Sequence, residues 1–183
     1  VEEYKKIFFL NSQKIFYLPT TIPTDFFKPK DKMAVRKKLG FKKEDKIAIF
    51  VGRIGYLKGL DIFLNVVKRN PGIQFILIGN LVDDTFKDNS FKNLILLPLK
   101  SQKELVEYYN AADLCFFPSR LEGVALVPRE AMSCGTPTIL LDTISSKSIK
   151  EAIKVPIDNE EINAAVKSFF DLSKNKRKEL SKK

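Results

Sequence analysis

Six short apolar runs punctuate the chain, and none exceeds seven residues: KIFYL at 14–18, KIAIFVG at 46–52, IQFILIG at 73–79, NLILL at 93–97, DLCFF at 113–117 and TILL at 138–141. Runs of strand length without polar alternation are the pattern of strands buried on both faces, as in parallel sheets. Between them the spacing is helical. Leu60, Phe63, Leu64 and Val67 fall at i, i+3, i+4 and i+7, and Leu105, Tyr108, Tyr109 and Ala112 repeat that pattern, as do Ile162, Ala165, Val166 and Phe169. Punctuation agrees with the periods. Gly40 ends a short basic helix over Lys32–Leu39, Pro71-Gly72 closes the next, SQKE at 101–104 is a capping box, and Asp158 with Glu161 reads as a second one. The three prolines within 19–29 mark a loop, and the polar run at 82–90 reads as a loop or short helix. Strands alternating with helices predict an α/β protein: a Rossmann-like, doubly wound parallel sheet with helices on both faces. The length of 183 residues predicts one domain, with a core over 14–172 and a basic tail, SKNKRKELSKK, at 173–183.

Composition narrows the function classes. Thirty-two Lys and Arg against 22 Asp and Glu give a net charge of +10, which favours nucleotides, phosphorylated substrates, acidic membrane surfaces or nucleic acid as partners. The sequence contains no histidine, which excludes a histidine base and the common zinc sites within this segment. Cys115 and Cys134 lie in apolar segments and read as buried thiols of a reducing compartment, hence a cytoplasmic protein. No apolar run approaches the ~20 residues of a membrane span. The first residue is Val1, not methionine, which reads as processing or, in preference, as a chain cut from a longer one.

Two stretches carry candidate chemistry. GRIGYLKG at 52–59 follows a strand and precedes a helix, so Arg53 and Lys58 can converge beside a helix N-terminus, an arrangement suited to a diphosphate. Two solvated cations on an ordinary connection is the alternative reading. The loop is neither a Walker A motif nor G-x-G-x-x-G. The second stretch, 118–137, reads PSRLEGVALVPREAMSCGTP and holds Glu122 on a loop and Glu130 on the helix that follows. Such carboxylates can perform acid-base work, accept hydrogen bonds from sugar and ribose hydroxyls, or complement a helix dipole. Gly123 would let a ligand approach the backbone.

Together the two motifs, G-R-x4-K-G and P-S-x2-E-G-x6-E-A-M-x2-G-T-P, resemble the glycosyltransferase family 4 (group 1) enzymes, and in particular their C-terminal, donor-binding domain, one half of a GT-B fold. The resemblance runs from Lys14 to Phe170. It implies transfer of a sugar from a UDP-, GDP- or ADP-linked donor with retention of configuration, without a metal and without a cofactor beyond that co-substrate. It implies that Arg53 and Lys58, on the loop that starts at Gly52, contact the donor diphosphate. Glu122, with the Gly123, Val124, Ala125 and Leu126 backbone, would hold the transferred sugar. Glu130 would bond the ribose, and Leu99 and Lys100 would lie by the nucleobase. Arg53, Lys58 and Glu122 are the residues expected to carry catalysis. The acceptor, a glycan or lipid, would bind an N-terminal domain that this chain lacks, so the chain alone is expected not to transfer sugar.

Several positions depart from the family pattern. Thr20, Thr21, Ile22 and Pro23 stand where Asn-Gly-Val-Asp is usual, and Val124 and Ala125 replace Phe-Gly. DTISSKSIKEAIKV has no glycine where a Gly-Gly-x-x-Glu element normally occurs. These changes leave room for a degenerate nucleotide-sugar-binding or interaction domain. Specific nucleic-acid binding is not expected, because the basic residues are scattered and the tail is not interleaved with aromatics. The basic excess fits either peripheral contact with the cytoplasmic membrane face or solubility.

Overall fold

The computed structural model describes residues 21–80 and 91–180. The strand expected at 14–18 and the polar run at 82–90 lie outside the described residues.

Five expected runs form strands: β1 (Ile47–Val51), β2 (Gln74–Ile78), β3 (Leu94–Leu97), β4 (Leu114–Phe117) and β5 (Thr138–Leu141). Every residue of β1, β4 and β5 is buried, which is why their sequences show no polar alternation. A sixth strand, β6 (Ile153–Val155), was not expected; it is three residues long and only Val155 is fully buried. The sheet order is β3-β2-β1-β4-β5-β6 and each pairing is parallel.

The helices are α1 (Lys32–Leu39), α2 (Leu60–Arg69), α3 (Gln102–Ala111), α4 (Leu126–Ser133), α5 (Asn159–Asp171) and α6 (Lys174–Leu180). Right-handed crossovers place α2, between β1 and β2, and α4, between β4 and β5, on opposite faces, because the two connections run outward in opposite directions. Accordingly α2 packs against α5, while α3 packs against α1 and α4. The β1–β4 pairing is the point where the order reverses, and its carboxyl end is the crevice where such sheets place ligands.

Side chains fix this frame. Phe63 of α2 stands over the sheet with ring centroids 5.4 Å from Phe50, 5.7 Å from Phe75 and 6.2 Å from Phe116. Asp31 caps α1, and Ser101 with Glu104 forms both halves of the expected box on α3. Glu104 therefore keeps its charge readily, its pKa drawn down to about 2 by the Ser101 hydroxyl and amide. At α5 only half of the expected box forms. Asp158 accepts from the Glu160 and Glu161 amides, but its own amide donates to Pro156 O.

The basic tail also departs from expectation. Instead of an unpacked segment, 174–180 is helix α6, with Leu180 against the core and the Arg177 guanidinium 5.8 Å from the Phe170 ring.

Candidate functional site

The loops that follow β1 and β4 meet at the switch point. Gly59 lies at φ +75°, and a Cβ there would collide with Pro118 O, so only glycine lets the two backbones touch. The β1 loop is pinned by Ile54, fully buried, whose amide donates to Asn80 O. It then turns as a 3₁₀ segment over Tyr56–Lys58 before α2 begins.

The β4 loop is laced onto that turn. The Arg120 amide donates to Leu57 O at 3.0 Å. Its guanidinium donates to Tyr56 O at 2.9 Å and, through two 2.7 Å bonds, to the Asp61 carboxylate. The same group lies 4.3 Å from the Tyr56 ring centroid. These Arg120 bonds hold the Asp61 pKa below its usual value. Nothing in the sequence pattern signalled this brace, although Arg120 lies inside the 118–137 stretch.

The brace ties together the two loops that carry Lys58 and Glu122. Lys58 Nζ lies 2.5 Å from Glu122 Oε1, with side-chain exposures of 23% and 12%. The structure thus joins two residues to which the resemblance assigns separate roles. Arg53, on the same loop, is exposed and makes no ion pair among the described residues. Gly123 and Val124 are exposed, Ala125 is buried as the residue before α4, and Leu126 opens the helix. A Cβ on Gly123 would meet nothing within 4 Å, so packing does not require glycine there.

Glu130 rises from α4 on the expected helix and is half-buried. The Tyr109 hydroxyl of α3 donates to Glu130 Oε2 at 2.8 Å. Burial pushes the Glu130 pKa up, and the tyrosine bond partly offsets that. Tyr109 is itself fully buried; burial and the Glu130 charge raise its own pKa, so it stays a donor. Nothing in its sequence position beyond the helical period signalled this contact.

Beyond the carboxyl ends of β2 and β3, a cavity of about 500 Å³ is lined by Gly79, Asn80, Leu96, Leu97 and Pro98. Leu99, 65% exposed, and Lys100 follow directly in sequence, and Lys100 pairs with Glu104 at 3.2 Å. Among the described residues, no three His, Cys, Asp or Glu side chains gather as metal ligands, and no helix is long and apolar enough to cross a membrane.

The profile of the family "Glycosyl transferases group 1" matches residues 31–183. The chain belongs to that family. The match extends through α6, past the limit at Phe170 read from the motifs. The chain is similar to the D-inositol 3-phosphate glycosyltransferase of Segniliparus rotundus, 33% identical in an alignment of 141 residues that covers 69% of this chain and 31% of that protein. Among solved structures it resembles WaaG, a glycosyltransferase involved in lipopolysaccharide biosynthesis, with a TM-score of 0.84 and 18% identity over 99% of this chain and 54% of that one. It also resembles HepE of Anabaena, solved with UDP and glucose, with a TM-score of 0.76 and 15% identity over 93% of this chain and 51% of that one. The structural likenesses establish the group 1 fold; the chain spans about a third of that curated relative and about half of each solved neighbour.

Proposed function

We propose that the chain is the donor-binding half of a retaining, metal-independent glycosyltransferase, a single domain over 1–183. The observation that carries this is the meeting of the β1 and β4 loops at the switch point, with Lys58 and Glu122 2.5 Å apart. UDP and glucose bound to HepE support the ligand class.

In this reading Arg53 and Lys58 face the diphosphate. Negative charge collects on that group as its bond to the sugar breaks, and fixed cations stabilise it where it develops. Glu122, with the Gly123–Leu126 backbone, takes hydroxyls of the sugar. Glu130, oriented by Tyr109, accepts from the ribose. The cavity beside Leu99 and Lys100 receives the base. The glutamates hold the donor rather than carry protons. The acceptor, a glycan or lipid, binds the part of the protein outside this chain, and the reaction takes place in the cytoplasm or at the cytoplasmic membrane face.

Calorimetry of the chain with UDP, GDP and ADP and their sugar conjugates tests the reading. One base is expected to bind, and Glu130→Ala to weaken it about tenfold, the effect of losing a charge-assisted hydrogen bond of ~1.4 kcal/mol. No binding by any of them at millimolar concentration would overturn the reading.

A further inference from the structure

Tyr56, Asp61 and Arg120 are outside the set of residues that the nucleotide-sugar reading assigns to the donor, yet they converge where the β1 and β4 loops meet. Arg120, on the β4 loop, donates across the gap to Leu57 O through its amide, to Tyr56 O through its guanidinium, and to both carboxylate oxygens of Asp61. The guanidinium also lies over the Tyr56 ring. Each member is close in sequence to a proposed donor contact. Tyr56 comes two residues before Lys58, Asp61 three after it, and Arg120 two before Glu122.

Hydrophobic burial does not hold these loop tips, because Tyr56, Leu57 and Leu121 are all exposed. Nor does the ion pair add much to the stability of the fold. The Arg120 and Asp61 side chains are 21% and 51% exposed, and a pair open to solvent stabilises a protein little. What the pair does set is geometry. A planar guanidinium presents its donors in a fixed fork, so two bonds to one carboxylate and a third to a carbonyl favour one relative placement of the loops.

We propose that Arg120 and Asp61 are positioning residues for the donor: their bridge holds the β1 and β4 loops at the spacing in which both reach one ligand. The inference rests on the nucleotide-sugar reading above and deepens it. Neither side chain is itself a donor ligand in this account. Asp61 separates positioning from charge. A carboxylate beside a site for an anion repels that anion, so removing its charge would, by Coulomb's law alone, raise affinity. A carboxylate that acts by holding Arg120 gives the opposite sign, and affinity falls.

Asp61→Asn, Arg120→Met and the double variant are titrated calorimetrically, beside wild type, with UDP, GDP, ADP, UDP-glucose, GDP-mannose and ADP-glucose. For the base that binds, Asp61→Asn is expected to lower affinity about threefold and Arg120→Met about tenfold, with Tm within about 2 °C of wild type. The double variant should lose no more than Arg120→Met alone, because Asp61 acts through Arg120. Unchanged or tighter binding by Asp61→Asn, or losses that add, overturn the positioning role but leave the donor site standing. A lower Tm with unchanged affinity of the folded fraction likewise overturns it and makes the pair part of the fold only. Failure of all six ligands to bind wild type removes the nucleotide-sugar reading and this role with it. Amide exchange of the ligand-free chain gives an independent reading. Arg120→Met should speed exchange in the segments 56–60 and 119–122 and leave β1 and β4 as slow as in wild type; unchanged exchange in both segments contradicts the bridge.

Discussion

At the amino ends of β1 and β4, Arg36 is 2% exposed and donates to Ala111 O, Lys43 O, Asp45 O and Asp113 Oδ2. Asp113 in turn accepts from Lys32 and from the Ile47 amide. At the carboxyl ends of the same two strands, Arg53 is exposed, Lys58 and Glu122 form an ion pair, and Glu130 is half-buried with a raised pKa. The first cluster spends its charge on fastening α1 to the sheet. At the second, Arg120 and Asp61 brace the loops, but Arg53 makes no ion pair among the described residues and burial works against the charge of Glu130. That contrast is what marks the carboxyl end as the candidate ligand end.

Variants can break this contrast, and the largest effect belongs to the amino end. Arg36→Met removes one of two cations from a largely buried carboxylate and the donor to the Ala111, Lys43 and Asp45 carbonyls. It should destabilise the chain by about 3 kcal/mol, lowering Tm by about 10 °C, in a calorimetric melt. Nucleotide affinity of the folded fraction should not change. Loss of affinity without loss of stability would show that the two ends are not separate.

Acid should act through the same cluster. Burial alone would raise the Asp113 pKa, but Lys32, the Ile47 amide and Arg36 outweigh it and hold the carboxyl below its usual range. A depressed folded pKa gives stability that is present above the unfolded value, about 3.9, and lost as pH falls through the folded one. Asp113→Asn should therefore be less stable at pH 7 and show a shallower acid limb in denaturant melts.

At the carboxyl end the signs reverse. The Glu130 pKa is raised by burial, so the ionised group opposes folding at neutral pH and that penalty fades as pH falls through the folded pKa. Glu130→Gln should raise Tm at pH 7 by about 2 °C, the shift that somewhat under 1 kcal/mol produces in a chain of this size. The same variant should bind ribonucleotide less tightly. A lower Tm would place Glu130 with the fold rather than the site.

The smallest effect is expected from Tyr109→Phe. It removes the bond to Glu130 Oε2 while keeping the ring among its buried neighbours, which include Phe27 at 6.3 Å between centroids. Affinity for a ribonucleoside diphosphate should fall about threefold, a net hydrogen bond of under 1 kcal/mol, with little change for the 2′,3′-dideoxy analogue. Equal losses for both would assign Tyr109 a structural role only.

The sequence made much of this legible. Strands β1, β2, β4 and β5 could be read because burial on both faces demands uninterrupted apolar runs, and β3 because its run is equally apolar although each residue is only partly buried. Strand β6 could not, since IKV is too short for any period and its first two residues are partly exposed. Helix α6 was hidden by its charge: the contacts of its described side chains include one leucine and one guanidinium over a ring. Arg53, Lys58, Glu122 and Glu130 were singled out as candidates by residue type and spacing. The Lys58–Glu122 pair, the Arg120–Asp61 brace and the Tyr109–Glu130 bond were not, because each joins elements that only the tertiary fold brings together.

Amide hydrogen exchange with and without the nucleoside diphosphate that binds tests the central claim most directly, since protection reports where a ligand stabilises the backbone. Protection is predicted in the segments 52–59 and 118–126 at the carboxyl end, with none in 31–46 at the amino end. Protection confined to 31–46, or spread evenly over both ends, would contradict the account.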